Sequence, residues 1–313
     1  MFSLIVVDYN TISVTISYIK KFLKAINPEI FLHIIIIQNG DKNKDIELLT
    51  NCFGQNKNYS EKIAEKEVYF FQNDKCSICY CHSGENLGYA RGNNLGAKIA
   101  KKIWNDPYLI ISNNDLEIDC INLNLIEDIF ISNEDVGVIG PQVITPSGIQ
   151  QSPQKWSSAY KRLIVYYWLR WVAAFLPAKK KSQFLVKHCN DIVKNASSGK
   201  CDWISGCFMF IRSKAFFEID MFDEYTFLYG EEMILSRRME KKGYAVYFCN
   251  EQIVIHNHAQ TTKKTISIME SRELDFNAIM YYYKTYCNTS PIILRLAQIN
   301  FNIYKFFFIN IKR

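Results

Sequence analysis

The sequence has no apolar run long enough to cross a bilayer, which excludes a spanning helix. No G-x-G-x-x-G follows its first apolar run, so the dinucleotide-binding fingerprint is missing too. Charge of one sign is in small excess, with 37 Lys and Arg against 31 Asp and Glu for a formal charge of +6. That surplus argues against a nucleic-acid binder and suits an anionic ligand or an anionic membrane surface. No basic leader precedes residues 1–7, which run straight into Asp8, so a secretory signal is not expected. The ten cysteines are scattered rather than framed and read as reduced thiols of a cytoplasmic protein. CSICYCH at 76–82 has the Cys spacing of a zinc knuckle, but no second Cys/His pair follows at a suitable distance. Its alternation predicts a strand with buried thiols instead.

What is present is a globular composition, 313 residues of which 49% are apolar, enough for one large α/β domain or two small ones. Residues 3–7 (SLIVV) are a continuous apolar run, as expected of a parallel strand covered on both faces. Asp8, Tyr9 and Asn10 end it, and Thr11 or Ser13 can cap a helix carrying Ile16, Ile19, Phe22, Leu23 and Ile26. HIIIIQNGD at 33–41 is a second buried strand, ending at Gln38, Asn39 and Gly40. Strand, helix and strand in so short a span predict a βαβ unit, whose ligands collect at the carboxyl ends of the strands.

Residues 51–75 are polar and carry no functional reading. NLGYARGNN at 86–94 leads into a helix with Leu95, Ile99 and Ile103 on one face. Gly88, Gly92 and Gly96 fall four apart and mark a backbone that must approach something closely. Arg91 can bind a phosphate there or sit in solvent. PYLIIS at 107–112 is a third buried strand, ending at Asn113, Asn114 and Asp115. A carboxylate at that edge can hold a hard divalent ion that bridges phosphate oxygens, or it can close an Asx-type turn. A helix over 123–131, a strand at 136–144 and a turn at 146–148 follow.

From Ile204 onward an apolar strand-like run passes through a Phe-Asp-Glu turn and an aromatic run into paired acids. The helix they head is expected from near Gly230 to Gly243, with Lys241 and Lys242 in its last turn. Glu231 and Glu232 then sit where the helix dipole favours negative charge. Taken alone, they are simply good first-turn residues.

Seven segments occur in a telling order: DYN (8–10), NLGYARGNN (86–94), SNND (112–115), VGVIGPQVITPSGIQQS (136–152), SGCFMFIR (205–212), FDEYTFLYGEEMILSRRMEKKGY (222–244) and IVIHNHAQTT (253–262). Together they resemble the inverting family 2 glycosyltransferases, in particular the rhamnosyltransferase-like branch of bacterial surface-polysaccharide synthesis. The resemblance covers residues 3–262. It implies a GT-A fold: a Rossmann-like α/β architecture with a mixed, mostly parallel sheet flanked by helices. It also implies that Asp115 coordinates Mg²⁺ or Mn²⁺ on the donor diphosphate, with His256 near the diphosphate or metal. Glu232 becomes the general base toward the acceptor hydroxyl, beside Glu231. Asp8, Tyr9, Asn10, Gln38 and Asn39 fall on the nucleotide side. Asn86, Gly88, Arg91, Asn94, Asn113 and Asn114 fall on the donor side with them.

This sequence departs from the family pattern at Gln38 and Glu232, where Asp is usual, and at Met221 and Ala259, where Gly is usual. The activity implied is transfer of a sugar from a nucleotide-sugar donor to a saccharide or polyprenyl-linked acceptor in O-antigen or capsule synthesis. The first expectation for the donor is dTDP-rhamnose. UDP- or GDP-hexose and a non-catalytic nucleotide-sugar-binding scaffold are the alternatives.

The expected organisation is a catalytic domain over 1–262, interrupted by an aromatic, basic, helical insert at 155–200, and a helical membrane-associating tail over 263–313. The insert runs through Leu163 and Leu176 to Pro177 and lysines 179–181, a mixture that suits a helix lying in the membrane interface or one packed on the domain. The tail adds an apolar helix face ending in Lys312 and Arg313. The expected location is cytoplasmic, peripheral to the inner face of the membrane.

Overall fold

The computed structural model describes all residues except 41–44, 55–56, 64–65, 174, 178–179, 182–183, 186–187, 189–190, 258–266 and 312–313, and omits the side chains of 57–62 and 308–311. Among the described residues eleven strands run in chain order as β1 (Phe2–Asp8), β2 (Leu32–Gln38), β3 (Lys57–Ile63), β4 (Lys66–Gln72), β5 (Cys76–His82), β6 (Tyr108–Ser112), β7 (Leu116–Glu117), β8 (Val136–Ile144), β9 (Gly199–Cys201), β10 (Phe208–Arg212) and β11 (Ala245–His256). They form one mixed sheet in the order β3-β4-β5-β2-β1-β6-β10-β8-β11-β7, with β9 against β11. The βαβ unit is present: β1 and β2 pair in parallel from Ser3–His33 to Asp8–Gln38, joined by the helix Ile12–Ala25. β5 and β6 extend the parallel block on either side, whereas β10 runs antiparallel to β6 and β8.

The period of two along the central strands divides the core. Leu4, Val6, Ile34 and Ile36 face the helix Ile12–Ala25 and its Ile16, Ile19 and Phe22. Ile5, Ile35 and Ile37 face the helix Gly88–Ile103 through Ala97 and Ala100. Both faces are covered, which is why these strands read as unbroken apolar runs. The CSICYCH segment is a strand as expected, with Cys76, Cys79 and Cys81 buried.

The polar stretch 51–75 turns out to contain the hairpin β3–β4 at the sheet edge. An edge strand keeps one flank and much of one face in water, so polar residues there hide the strand pattern. Thr11 occupies the N-cap of the helix Ile12–Ala25 but makes no capping bond; its hydroxyl donates to Asp8 instead. The insert begins as a π-helical turn, Tyr160–Val165, and continues as the helix Tyr166–Ala173. Leu163 and Tyr167 pack with Phe276 and Tyr282 of the helix Ile268–Tyr286, with Phe301 of the helix Pro291–Ile311, and with Met233 and Ile234. The insert is therefore packed on the protein along one face, while Trp168 and Phe175 stay exposed. The expected domain boundary at 262, like Asp41, Lys179, Lys312 and Arg313, lies outside the described residues.

Candidate active site

Parallel strands deliver their carboxyl ends to one edge, and there β1, β2 and β6 set Asp8, Gln38 and the 113–115 segment side by side. Asp8 is fully buried. Its carboxylate accepts from Thr11 N (3.0 Å) and Oγ1 (2.8 Å), Thr15 Oγ1 (2.5 Å), Gln38 Nε2 (2.9 Å) and Asn114 Nδ2 (3.2 Å). Gln38 is also fully buried. It donates its second amide proton to Asp45 (2.6 Å) and accepts from the backbone N–H groups of Asn10 (3.3 Å) and Gly40 (2.9 Å). Tyr80 also donates to Asp45, at 2.9 Å. The departure from Asp at 38 thus has a local reason, since a third carboxylate between Asp8 and Asp45 would meet two like charges where the amide meets two acceptors.

Other predicted donor-side residues are also tied into the fold. Asn39 donates to the Gly88 carbonyl at 3.0 Å. Gly88 has φ +70°, and a Cβ there would come within 2.5 Å of the Phe227 carbonyl, so the close approach expected of these glycines is to the protein's own backbone. Gly92 and Gly96 likewise face Val7 and Ile5 of β1. Asn94 exchanges hydrogen bonds with the Phe222 backbone and donates to Glu224, so it pins the Phe-Asp-Glu turn. Asn86 accepts from Gly88 N, and Arg91, half exposed, pairs with Glu85 at 3.0 Å. Asn113 donates its backbone N–H to the Cys207 carbonyl, at 2.9 Å. Tyr9 and Asn10 remain partly or fully exposed at the mouth of this region.

The β11–β7 pairing sets His256 opposite Leu116 and so beside Asp115; Nε2 lies 3.5 Å from Oδ1. His256 Nδ1 is 3.3 Å from Gln151 Oε1. Burial opposes a charge on His256, but the Asp115 carboxylate and the Cys207 side chain outweigh it and push its pKa up to about 10. A cleft of about 320 Å³ opens beside Asp115, lined among others by Ser13, Ser17, Lys21, Asn114 and Asn257. Among the described residues no three His, Cys, Asp or Glu side chains gather to hold a metal. Asp115 would supply a hard oxygen, and His256 an imidazole nitrogen once a bound cation displaced the proton that its raised pKa otherwise holds. The pair so fits Mg²⁺ or Mn²⁺ with substrate phosphates and water as further ligands. His258, Ala259, Gln260 and Thr261 lie outside the described residues.

The second half of the site is the helix Glu231–Lys241, whose N-cap Gly230 has φ +81° in the left-handed region open to glycine. Glu231 is 5% exposed, and its Oε1 has no hydrogen-bond partner. Burial first, then the neighbouring Glu232 charge, push its pKa up to about 8. Glu232 is also raised by burial, with Arg162 acting in the opposite direction. Of the two, Glu232 is the partly exposed one; its carboxylate lies against Gly206, where a Cβ would sit 3.4 Å from Oε2. The two halves meet at Gly206 and Cys207, because β10 pairs Phe208 with Ser112. Tyr89 closes the gap by donating to the Gly206 carbonyl, at 2.5 Å.

Sequence reasoning missed Tyr89, Cys207, Gln151 and Arg162. Arg162, from the insert, is held by Asp191 at 2.8 Å and lies over Trp203. Tyr89 and Cys207 sat inside quoted motifs, but nothing in the sequence says which motif residues face the site.

A family model described as "Glycosyltransferase (GlcNAc)" matches residues 165–286. Over 194 residues the chain is 25% identical to the N-acetylglucosaminyl-diphospho-decaprenol L-rhamnosyltransferase of Mycobacterium tuberculosis, covering 58% of this chain and 59% of that protein. Over 123 residues it is 29% identical to the O-antigen chain rhamnosyltransferase RfbN of Salmonella typhimurium, covering 34% of this chain and 39% of that one. In fold it is similar to GalNAc-T7 solved with UDP, GalNAc and Mn²⁺, with a TM-score of 0.57 and 13% identity over 91% of this chain and 47% of that one. The chain thus spans about three-fifths of the length of the mycobacterial relative.

Proposed function

We propose that this chain, by its relatives and its GT-A fold a family 2-like glycosyltransferase, transfers one sugar from a nucleotide donor to a saccharide or lipid-linked acceptor with inversion. The observation that carries the reading is the meeting of the Asp115–His256 pair and the Glu231–Glu232 pair on either side of Gly206 and Cys207. Glu232 takes the proton from an acceptor hydroxyl. The freed oxygen attacks the anomeric carbon opposite the nucleoside diphosphate, the new C–O bond forms as the old one breaks, and the diphosphate leaves. Glu231, with its raised pKa, keeps a proton near neutral pH and so spares Glu232 a second adjacent charge. Asp115 and His256 would hold Mg²⁺ or Mn²⁺, which supplies neutralisation of the charge gathering on the leaving group. Asp8, Gln38, Asn39 and Asn94 act behind the site, fixing the loops on which Tyr9, Asn10 and the Gly88 turn are carried.

dTDP-rhamnose is the proposed donor because both relatives named above are rhamnosyltransferases. O-antigen or capsule assembly at the inner face of the membrane is the proposed setting, and a lipid-linked acceptor would match the decaprenol-linked one in the mycobacterial relative's name. The test is thermal stabilisation of the purified protein by dTDP, UDP and GDP, each with and without Mn²⁺, since a ligand of the folded state alone raises the midpoint. A Mn²⁺-dependent shift with dTDP supports the donor, and a shift with UDP or GDP alone moves the reading to a hexosyl donor. No shift with any of them would overturn the transferase reading, and a shift without turnover would favour the nucleotide-sugar-binding scaffold.

A further inference from the structure

We propose that the outward face of the last helix and the exposed aromatics of the insert form one docking surface for an anionic lipid bilayer. In the helix Pro291–Ile311, Ile292, Leu296, Ile299 and Ile303 are exposed, up to 72% at Ile292. Their spacing of four, three and four residues puts them on one side. Ala297, Phe301 and Tyr304 on the other side are buried against the protein. The helix therefore has two apolar faces and only one of them is used internally.

The insert continues the unused face. Phe307 lies 5.8 Å from Trp171, ring to ring, and Trp171 lies 5.7 Å from Phe175, which is 65% exposed. Charge complementarity selects the occupant. Residues 136–190 and 276–313 contain no Asp or Glu, while 155–190 hold eight Lys or Arg and 276–313 hold five. Of these, Lys161 and Arg162 pair with Asp191 and Lys305 with Glu273, and the others supply the positive charge. Basic residues around apolar and aromatic ones are the chemistry of a helix lying in a lipid headgroup layer. A second copy is the poorer fit. Two such faces would bring Arg295 of each copy together, with no acid on the helix to pair across the seam, since Lys305 is already paired with Glu273 of its own chain. Among the described residues no helix is long and apolar enough to cross a membrane, which agrees with a helix that lies on one.

The inference deepens the membrane setting proposed above, yet vesicle binding is read without any sugar transfer, so either can fail alone. The experiment is co-sedimentation of the full chain with vesicles of phosphatidylcholine, with or without about one-third phosphatidylglycerol. Binding to the anionic vesicles that weakens as salt is raised is expected. The double substitution Leu296→Glu/Ile303→Glu should lower it by at least about tenfold, and Phe175→Ser by about threefold. These sites are exposed, so the melting midpoint and turnover on a water-soluble acceptor should not change. Equal binding by wild type and the double variant would overturn the proposal, as would no vesicle binding by wild type. A dimer that the double variant breaks, with no vesicle binding, would overturn it in favour of contact between copies.

Discussion

At the ends of β1 and β2 Asp8 accepts five hydrogen bonds, whereas at the head of the helix Glu231–Lys241 the buried Glu231 Oε1 accepts none. Both acids are buried and both stand at the same edge of the sheet. The first belongs to a polar network in which Thr11, Thr15, Gln38 and Asn114 use up every lone pair, and such a network fixes loop geometry. The second is held in a setting that disfavours its charge. Its pKa, raised to about 8 by burial and the Glu232 charge, keeps it protonated near neutral pH beside the carboxylate proposed as the base. Within one site, saturation marks the supporting half and incomplete satisfaction marks the half proposed to do chemistry.

The contrast breaks most sharply at Glu232. Glu232→Gln removes the proposed proton acceptor with little change of shape, and kcat should fall by about 10²- to 10⁴-fold, measured as nucleoside diphosphate release with acceptor present. A fall of less than threefold would move the base elsewhere. Gln38→Asp tests the other half: a third carboxylate beside Asp8 and Asp45 should destabilise the fold by about 3 kcal/mol at neutral pH. Urea titration would show this, with part of the loss recovered under mildly acidic conditions as one carboxylate is protonated.

A smaller effect is expected at Glu231. A carboxyl whose folded pKa is raised from 4.5 to about 8 binds its proton more tightly in the folded state. Its contribution to stability is therefore fully present below about pH 4.5 and is lost as pH rises toward 8. Glu231→Gln should flatten that slope and raise the melting midpoint at pH 8 by about 3 °C, while turnover stays within about tenfold of wild type. A midpoint lowered at pH 8 would show that Glu231 is not carrying this cost. The smallest effect is at Arg91, half exposed and paired with Glu85. Arg91→Ala should cost no more than about 0.5 kcal/mol and leave the nucleotide-induced thermal shift intact; loss of that shift would give Arg91 a phosphate.

The βαβ unit, the strand at 136–144 and the helix behind Gly230 were legible because their residues repeat at the period of the element, with apolar runs where both faces are covered. The edge hairpin β3–β4 was not, because water on one flank removes that period. The π-helical start of the insert has no signature in side-chain type at all. In the candidate site, the acids and the histidine could be picked out by residue type and order. The partners of Asn94 and Gln38 could not, since each lies on another segment: Phe222 is 128 residues from Asn94, and Asp8 is 30 from Gln38.

The sequence by itself determined which central segments become strands and helices, and that acids stand at their ends, because those choices follow from local periodicity and end chemistry. Only the tertiary structure decided what each acid experiences. Burial and the distance to another charge are sums over segments remote in the chain, and they leave Asp8 with five donors and Glu231 beside Glu232 with an oxygen unpartnered.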